Sequence, residues 1–344
     1  MTLIFVVLSG EHATLPLADV DAVLSSEGLH SRLVVVYGDV AILESNERIF
    51  PLLKRRSSMV LAAGKLLFTT QPNVGSITKS TIESVPELLG SHSICVRVRR
   101  YGGAHPELGR SKLERDIGST ILSAAPDDLQ VDLHHPETSL LGIITNDAFV
   151  LGVLRVTADR GDYDKRRPRT RPFFKPGVLA PRIARVFVNL SRLNSSKVFY
   201  DPFLGTGGFL VEACYVGRYG LGSDADLRMV KGARQNLKHY DFANFDLFLS
   251  DAAKIPLKHV DCVSFDPPYG RATSTRRRLT SELIQSSLAE IGQITPKGGY
   301  VTLAFPSNLE VESKIPLCSF TVAERHSMRV HRSLTRSILV LRRI

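Results

Sequence analysis

The stretch KVFYDPFLGTGGFLVEACYVG, residues 197–217, restricts the possible folds more than any other part of the chain. An apolar run ends in an acid, a glycine-rich turn follows, and an apolar segment of helical length comes next. Gly205 and Gly207 let the backbone approach a ligand closely and take positive φ, which residues with side chains resist. The next apolar run, YGLGSD, ends in Asp224, 19 residues after Gly205. Dinucleotide-type folds place a carboxylate there to accept hydrogen bonds from ribose hydroxyls. Asp251 closes the following run (FLSDAAK), and Asp266 closes the fourth (VDCVSFDPPYG). From Val178 onward, opening with the helix LAPRIARVFVNLSR, strand and helix patterns alternate, which predicts a doubly wound parallel sheet of the α/β class.

Ligands of such sheets bind at the carboxyl edge, where all these acids fall. Asp201, just before the turn, would repel a phosphate and suits a cationic group such as the amino group of S-adenosylmethionine. Asp251 is placed to accept from an adenine amine. No GxxxxGK[ST] loop occurs, which argues against a nucleoside triphosphate. Unrelated acids that merely cap strands and helices are the competing reading; acids at successive strand ends weigh against it.

Asp266-Pro267-Pro268-Tyr269 then acquires a chemistry. The exocyclic amine of a nucleobase is a poor nucleophile because its lone pair is conjugated into the ring. Two acceptors holding its two hydrogens, the Asp266 carboxylate and the Pro267 carbonyl, would free that lone pair. Proline lacks an N–H and its restricted φ fixes the direction of the carbonyl. Tyr269 offers a stacking face, worth about 1–3 kcal/mol, for a base flipped out of its helix.

The first 156 residues read differently. Residues 1–50 alternate strand, helix and strand; a helix is predicted over 51–68 and a polar loop over 69–81. A strand at 93–101, a helix at 109–124 and two strands around the turn TNDA (145–148) complete an α+β region ending near Val156. His134 and His135 are adjacent, and strand geometry would point them to opposite faces, so no metal site is predicted. The opening MTLIFVVLSG reads as a strand rather than a signal peptide. No stretch is long enough to span a membrane, and four scattered cysteines suit a reducing cytoplasm. Residues 157–177 form a basic linker without apolar period.

Net charge is +10, with 44 Lys plus Arg against 34 Asp plus Glu, which points to a polyanionic partner. Arg97, Arg99 and Arg100 on a strand, Lys112 on the next helix, and the linker residues Arg166, Arg167 and Arg169 are the candidate RNA contacts.

In their order, DPFLGTGGFLVEA, GSDAD, SDA and DPPYG resemble the motifs of Rossmann-fold amino-methyltransferases that use S-adenosylmethionine. RPFFKPGVLAPRIARVFVNL and VRVRRY…LERDIGSTI…VDLHHPE resemble, more narrowly, archaeal tRNA guanosine-10 N2-methyltransferases over almost the whole chain. The resemblance implies residues 1–55 as a ferredoxin-like part, 56–156 as a THUMP RNA-binding domain and 178–344 as the methyltransferase domain. It implies that Asp201, Gly205 and Gly207 line the methionine moiety of the cofactor, Asp224 its ribose and Asp251 its adenine. Phe173 and Phe174 would close over the cofactor, while Asp266, Pro267, Pro268 and Tyr269 hold the base. Leu204 stands where a cysteine or serine is common and is expected to stay out of the chemistry. Family members add one or two methyl groups, and some need a small zinc-binding activator subunit, so tRNA is the expected partner of a monomer or heterodimer. Two rivals remain at this point: adenine-N6 methylation of RNA or DNA, and a non-catalytic RNA-binding protein with a relic cofactor pocket.

Overall fold

Apolar runs broken by glycine and proline dictate the element order. The computed structural model describes residues 1–88, 90–125, 128–159, 161–268, 274–331 and 334–344, without the side chains of 274–279, 314 and 316. The elements run β1 (Thr2–Leu8), α1 (Leu15–Ser26), β2 (Arg32–Tyr37), β3 (Val40–Ser45), α2 (Ile49–Arg56), β4 (Val60–Thr70), α3 (Val74–Ser84), β5 (Ser93–Arg100), α4 (Arg110–Ala124), β6 (Gln130–Val131), β7 (Thr138–Ile144) and β8 (Phe149–Thr157). They continue with α5 (Gly161–Lys165), α6 (Pro181–Leu190), β9 (Phe199–Asp201), α7 (Gly208–Tyr215), β10 (Gly220–Asp224), α8 (Leu227–His239), β11 (Phe245–Leu249), β12 (Cys262–Phe265), α9 (Ser274–Ile294), β13 (Tyr300–Pro306), β14 (Phe320–His331) and β15 (Leu334–Arg343). Residues 1–11, 29–54 and 60–158 make one compact unit, and residues 12–28, 55–59 and 159–344 a second.

The first unit is built on one eight-stranded sheet, ordered β2-β3-β1-β4-β8-β7-β5-β6. Its first four strands pair antiparallel in the order of a split βαββαβ motif, so the sheet continues past residue 55 through β4. The helix expected over 51–68 ends at Arg56. The residues that follow favour a helix by propensity, but β4 gains hydrogen-bond ladders from both β1 and β8, and tertiary pairing wins. Gly64 permits the crowding: a Cβ there would lie 2.0 Å from the Val153 carbonyl and 2.7 Å from the Phe5 ring. The expected loop at 69–81 is instead α3, started by Asn73, whose side chain accepts the Ser76 amide at 2.9 Å. His134 and His135 lie in a turn rather than a strand, both amides donating to Asp132.

The second unit carries a seven-stranded sheet, β11-β10-β9-β12-β13-β15-β14, parallel from β11 to β13 and closed by two antiparallel strands. The chain moves outward from β9 to β11, then returns to place β12 on the other side of β9. That reversal opens a crevice at the carboxyl ends of β9 and β12. One core packs around α6 and α7, the other around β12, β13 and α9.

Helix α6 is buried on nearly every side. All but Arg182 of its ten residues are buried, including Arg185 and Asn189. Packing against α1 and residues 55–59 of the same unit explains this. The fully buried Asp19 of α1 accepts from Ser57 Oγ (2.6 Å), the Ser58 amide (3.1 Å) and Asn189 Nδ2 (2.7 Å). Burial pushes the Asp19 carboxyl up, while these hydrogen bonds pull it back. Arg56 completes the cluster through Glu27, Asn189 and the Leu193 carbonyl, and burial pulls its guanidinium down to about 10. Each buried donor left without an acceptor costs about 1–3 kcal/mol. Asp19→Ala is therefore expected to lower the unfolding free energy of this unit by about 3 kcal/mol in urea titration. A chain beginning at residue 157, which lacks α1, should show no cooperative transition; a transition at the full-length midpoint would make α1 an accessory.

Candidate active site

Two strand ends and one turn define the crevice. β9 ends at Asp201, whose Oδ1 accepts the Phe203 amide at 3.0 Å and whose side chain is 1% exposed. The turn after it uses the left-handed conformation at Gly205 (φ +50°) and Gly207 (φ +81°). A Cβ on Gly207 would also press to 3.2 Å on Ala233 of α8, so the position demands glycine twice over. Asp224 ties this turn to β10: one carboxylate oxygen accepts the Gly205 amide and the other the Asp226 amide, both at 2.9 Å.

Asp201, Gly205 and Asp266 meet in one cavity of about 220 Å³, walled by Lys175–Leu179 on one side and by Phe203, Leu204 and Thr206 on the other. Burial pushes the Asp201 carboxyl well up, and the neighbouring charges of Asp224 and Asp266 push the same way. The carboxylate is thus placed for a cation. Thr206 Oγ1, buried in the same wall, has no hydrogen-bond partner among the described residues. A buried acid, an unpartnered hydroxyl and a turn that only glycine can make fit the amino-acid end of S-adenosylmethionine.

Asp266 follows β12. Its side chain is 17% exposed, and Arg336 Nη2 lies 3.2 Å from its Oδ2. Phe203 stacks on Phe265 at 5.5 Å and so steadies the approach to Asp266. Pro267 is buried and Pro268 exposed; Tyr269 and the side chains of Arg276–Arg278 lie outside the described residues. Sequence reasoning missed Arg336, 70 positions beyond Asp266. Topology supplies the signal: β15 runs antiparallel to β13 and pairs Arg336 with Pro306 at its end, so β15 starts beside the functional edge.

Other expected site residues stand elsewhere. Asp224 lies behind the turn rather than in the cavity lining, and Asp251 is exposed in the loop after β11, accepting the Ala253 amide. Leu204, expected to stay out of the chemistry, lines the cavity but is held against Gly222 of β10. Phe173 packs its ring on Gly232 of α8 while Asn236 grips its backbone at both N–H and carbonyl. Phe174 is 43% exposed and lines a neighbouring groove; neither ring borders the cavity.

The basic candidates divide the same way. Arg97, Arg99 and Lys112 are exposed, whereas Arg100 turns its guanidinium to the Leu108 carbonyl. Arg167 and Arg169 are exposed. Arg166, expected to contact RNA, is 3% exposed: its guanidinium is held by Glu212 at 2.8 and 3.2 Å and lies over the Tyr215 ring. Its charge is committed inside the unit and unavailable to a partner.

The doubly wound sheet with this acid-lined crevice defines a Rossmann-like S-adenosylmethionine-dependent methyltransferase. Residues 168–338 match the UPF0020 family, described as RMKL-like, methyltransferase domain. The fold is shared with TrmN from Thermus thermophilus (TM-score 0.52, 18% identity, 99% of this chain and 100% of that one). It is shared too with SMU.472, a putative methyltransferase complexed with SAH (TM-score 0.54, 14% identity, 100% and 99%). In sequence the chain is 34% identical to the tRNA (guanine(10)-N2)-dimethyltransferase of Methanothermobacter thermautotrophicus, over 98% of this chain and 99% of that protein. It is 35% identical to the Pyrococcus abyssi enzyme of the same name, over 67% and 68%. The chain belongs to the tRNA (guanine(10)-N2)-dimethyltransferase family.

The Asp201 environment has a measurable consequence. A carboxyl raised in the folded state adds stability at pH below its unfolded value of about 3.9, and loses it as pH rises through the folded value. The ligand-free protein should therefore gain Tm at neutral pH on Asp201→Asn, while its Tm at pH 4 barely changes. The same variant should bind S-adenosylmethionine at least about tenfold more weakly by calorimetry, one unpaired charge being worth about 1.4 kcal/mol or more. Equal Tm profiles for the two proteins would contradict the assignment.

Proposed function

We propose that this chain transfers methyl groups from S-adenosylmethionine to the N2 amine of guanosine-10 in tRNA. The observation that carries the reading is the pairing of two unlike carboxylates in one crevice: Asp201, buried and raised, and Asp266, matched to Arg336. Bound S-adenosylmethionine supplies an electrophilic methyl group on its sulfonium. The protein's part is positioning. Asp201 takes the cationic amino group of the cofactor, and the glycine turn lets the backbone lie against it. Arg336 anchors one oxygen of Asp266 and leaves the other to accept from the base. Asp266 and the Pro267 carbonyl hold the hydrogens of the base amine, with Tyr269 as the stacking face. The amine proton becomes acidic only once the new N–C bond has begun to form, so Asp266 need not be a strong base.

Guanine suits this acceptor better than adenine. Guanine presents N1–H next to its amine, two donors for one carboxylate, whereas adenine presents a bare ring nitrogen there and would face Asp266 with a repelling lone pair. The adenine-N6 reading is weaker for that reason. The relic reading is weaker too, because an abandoned pocket has no need of a buried acid that lacks a cation.

The first unit is read as the tRNA grip, with Arg97, Arg99 and Lys112 on its surface. The ferredoxin-like part, expected over 1–55, is read as continuing through β4 to Thr70, and the THUMP domain as the rest of the unit to Val156. A cytoplasmic setting fits this substrate; among the described residues, no helix is long and apolar enough to cross a membrane. The relatives are named dimethyltransferases, so two successive additions to one nitrogen are the expectation.

Labelled methyl transfer to unmodified tRNA transcripts tests the assignment. Label should appear as N2-methylated guanosine and vanish when guanosine-10 is replaced by adenosine. Label that persists would keep the chemistry and move the target; none, with cofactor still bound, would point to a missing activator subunit or a relic. In the same assay Asp266→Ala should cost about 10²- to 10³-fold in kcat, the scale of losing one preorganised hydrogen-bonding group at a reacting centre. Arg336→Gln should cost less and add nothing to Asp266→Ala, because it acts through that carboxylate. Additive losses would give Arg336 an independent role.

A further inference from the structure

Beside the cofactor cavity lies a second, larger hollow of about 670 Å³. Its lining includes Tyr163, Arg167, Arg169, Phe174 and Arg182, and it shares Pro176, Gly177 and Val178 with the cavity. We propose that this groove binds a nucleotide of the substrate RNA flanking the one held at Asp266, with its phosphate on Arg167 and Arg169 and its base against Phe174. The inference rests on the functional reading above and names a subsite for that substrate.

Phe174 is the first argument. An aromatic ring that leaves 43% of its surface in water forgoes burial that its neighbour Phe173 obtains. Its backbone is not free to adjust, because Asn236 holds the Phe173 N–H at 2.9 Å and the Phe173 carbonyl at 2.8 Å. A firmly presented, half-open ring is a ready stacking face, and base–aromatic stacking tolerates any base.

Charge is the second. Arg169 is exposed and has no ion-pair partner among the described residues. Arg167 meets only Asp164 at 2.6 Å, in a pair whose members are 64% and 60% exposed, so the competition with a phosphate is weak. Arg182 also lines the wall, its Nε committed to the Ser58 carbonyl. Among the described lining residues, one acid, Asp164, stands against the exposed Arg167 and Arg169. That sign disfavours the cationic end of the cofactor and favours a phosphodiester.

Position is the third. The shared wall Pro176–Val178 sets the groove directly against the cavity that contains Asp266, and enzymes acting on a flipped base commonly read its flanking nucleotides.

The test separates tRNA affinity from cofactor affinity. Phe174→Ala should raise KM for a tRNA transcript about tenfold or more, with recovery in Phe174→Trp, while Kd for S-adenosylmethionine stays at the wild-type value. Arg167→Ala with Arg169→Ala should weaken tRNA filter binding and flatten its log–log salt slope by about 0.7, one single-strand phosphate. Should Phe174→Ala fail to fold, the arginine pair carries the test alone. A loss of cofactor affinity with tRNA KM unchanged would return Phe174 to a cover for the cofactor, and wild-type behaviour in every variant would remove the groove from recognition. If the wild type binds tRNA through these residues yet transfers no methyl, the functional reading falls while the subsite stands.

Discussion

Two carboxylates reach one crevice, and like charges at close quarters cannot both be left without a cation. The rest of the site answers that constraint. Asp266 receives Arg336; Asp201, buried behind the first turn, has no such partner among the described residues and is raised by burial and by its acidic neighbours. One acid is thus matched by a cation within the protein, while the other is set apart by burial and by its acidic neighbours. The antiparallel end of the sheet follows from this need. A parallel strand next to β13 would begin at the opposite edge, whereas β15 begins at the functional edge and delivers Arg336 there.

The turn that shapes the cofactor cavity is held from beneath by a second group of charges. Glu212 on α7 takes Arg166 and Arg185 on its two oxygens, and all three side chains are almost fully buried. Such a triad adds little net stability over apolar packing, yet removing one member strands a buried charge at about 3–5 kcal/mol. Its value here is directional. Helix α7 starts at Gly208, so fixing Glu212 fixes the amides that the turn presents. Asp19 and Arg56 perform the same service for the other side of α6, which explains how that helix keeps Arg185 and Asn189 with no face in water.

What was legible in the sequence followed short-range rules. Strand-terminal acids, a glycine pair and the Asp-Pro-Pro-Tyr run each declare themselves within a few residues, and Asp201, Gly205 and Asp266 do meet in one cavity. What escaped depends on partners distant in the chain. Residues 60–68 look helical until β1 and β8 flank them, and Arg336 has no meaning until the direction of β15 is known. Phe173 and Phe174, adjacent and alike in sequence, separate because Gly232 makes room for one ring only. Asp224, expected at the ribose of the cofactor, also holds the turn by two amides, and Asp251, expected at its adenine, is exposed after β11; neither contact within the chain could be read from spacing alone.

The arginine-rich segment before α6 shows why a charge run cannot be read as one surface. Arg166 and Arg171 are buried, Arg166 on Glu212 and Arg171 on the Arg166 carbonyl, while Arg167 and Arg169 face outward. A short helix and the tight turn at Pro168–Thr170 that follows it break the run into separate local conformations. The inward pair locks the segment to α7 and thereby to the glycine turn. The outward pair is then carried on a scaffold already registered to the cofactor cavity, only a few residues from the wall at Lys175–Leu179. The buried arginines thus hold the exposed ones in register with the cavity wall.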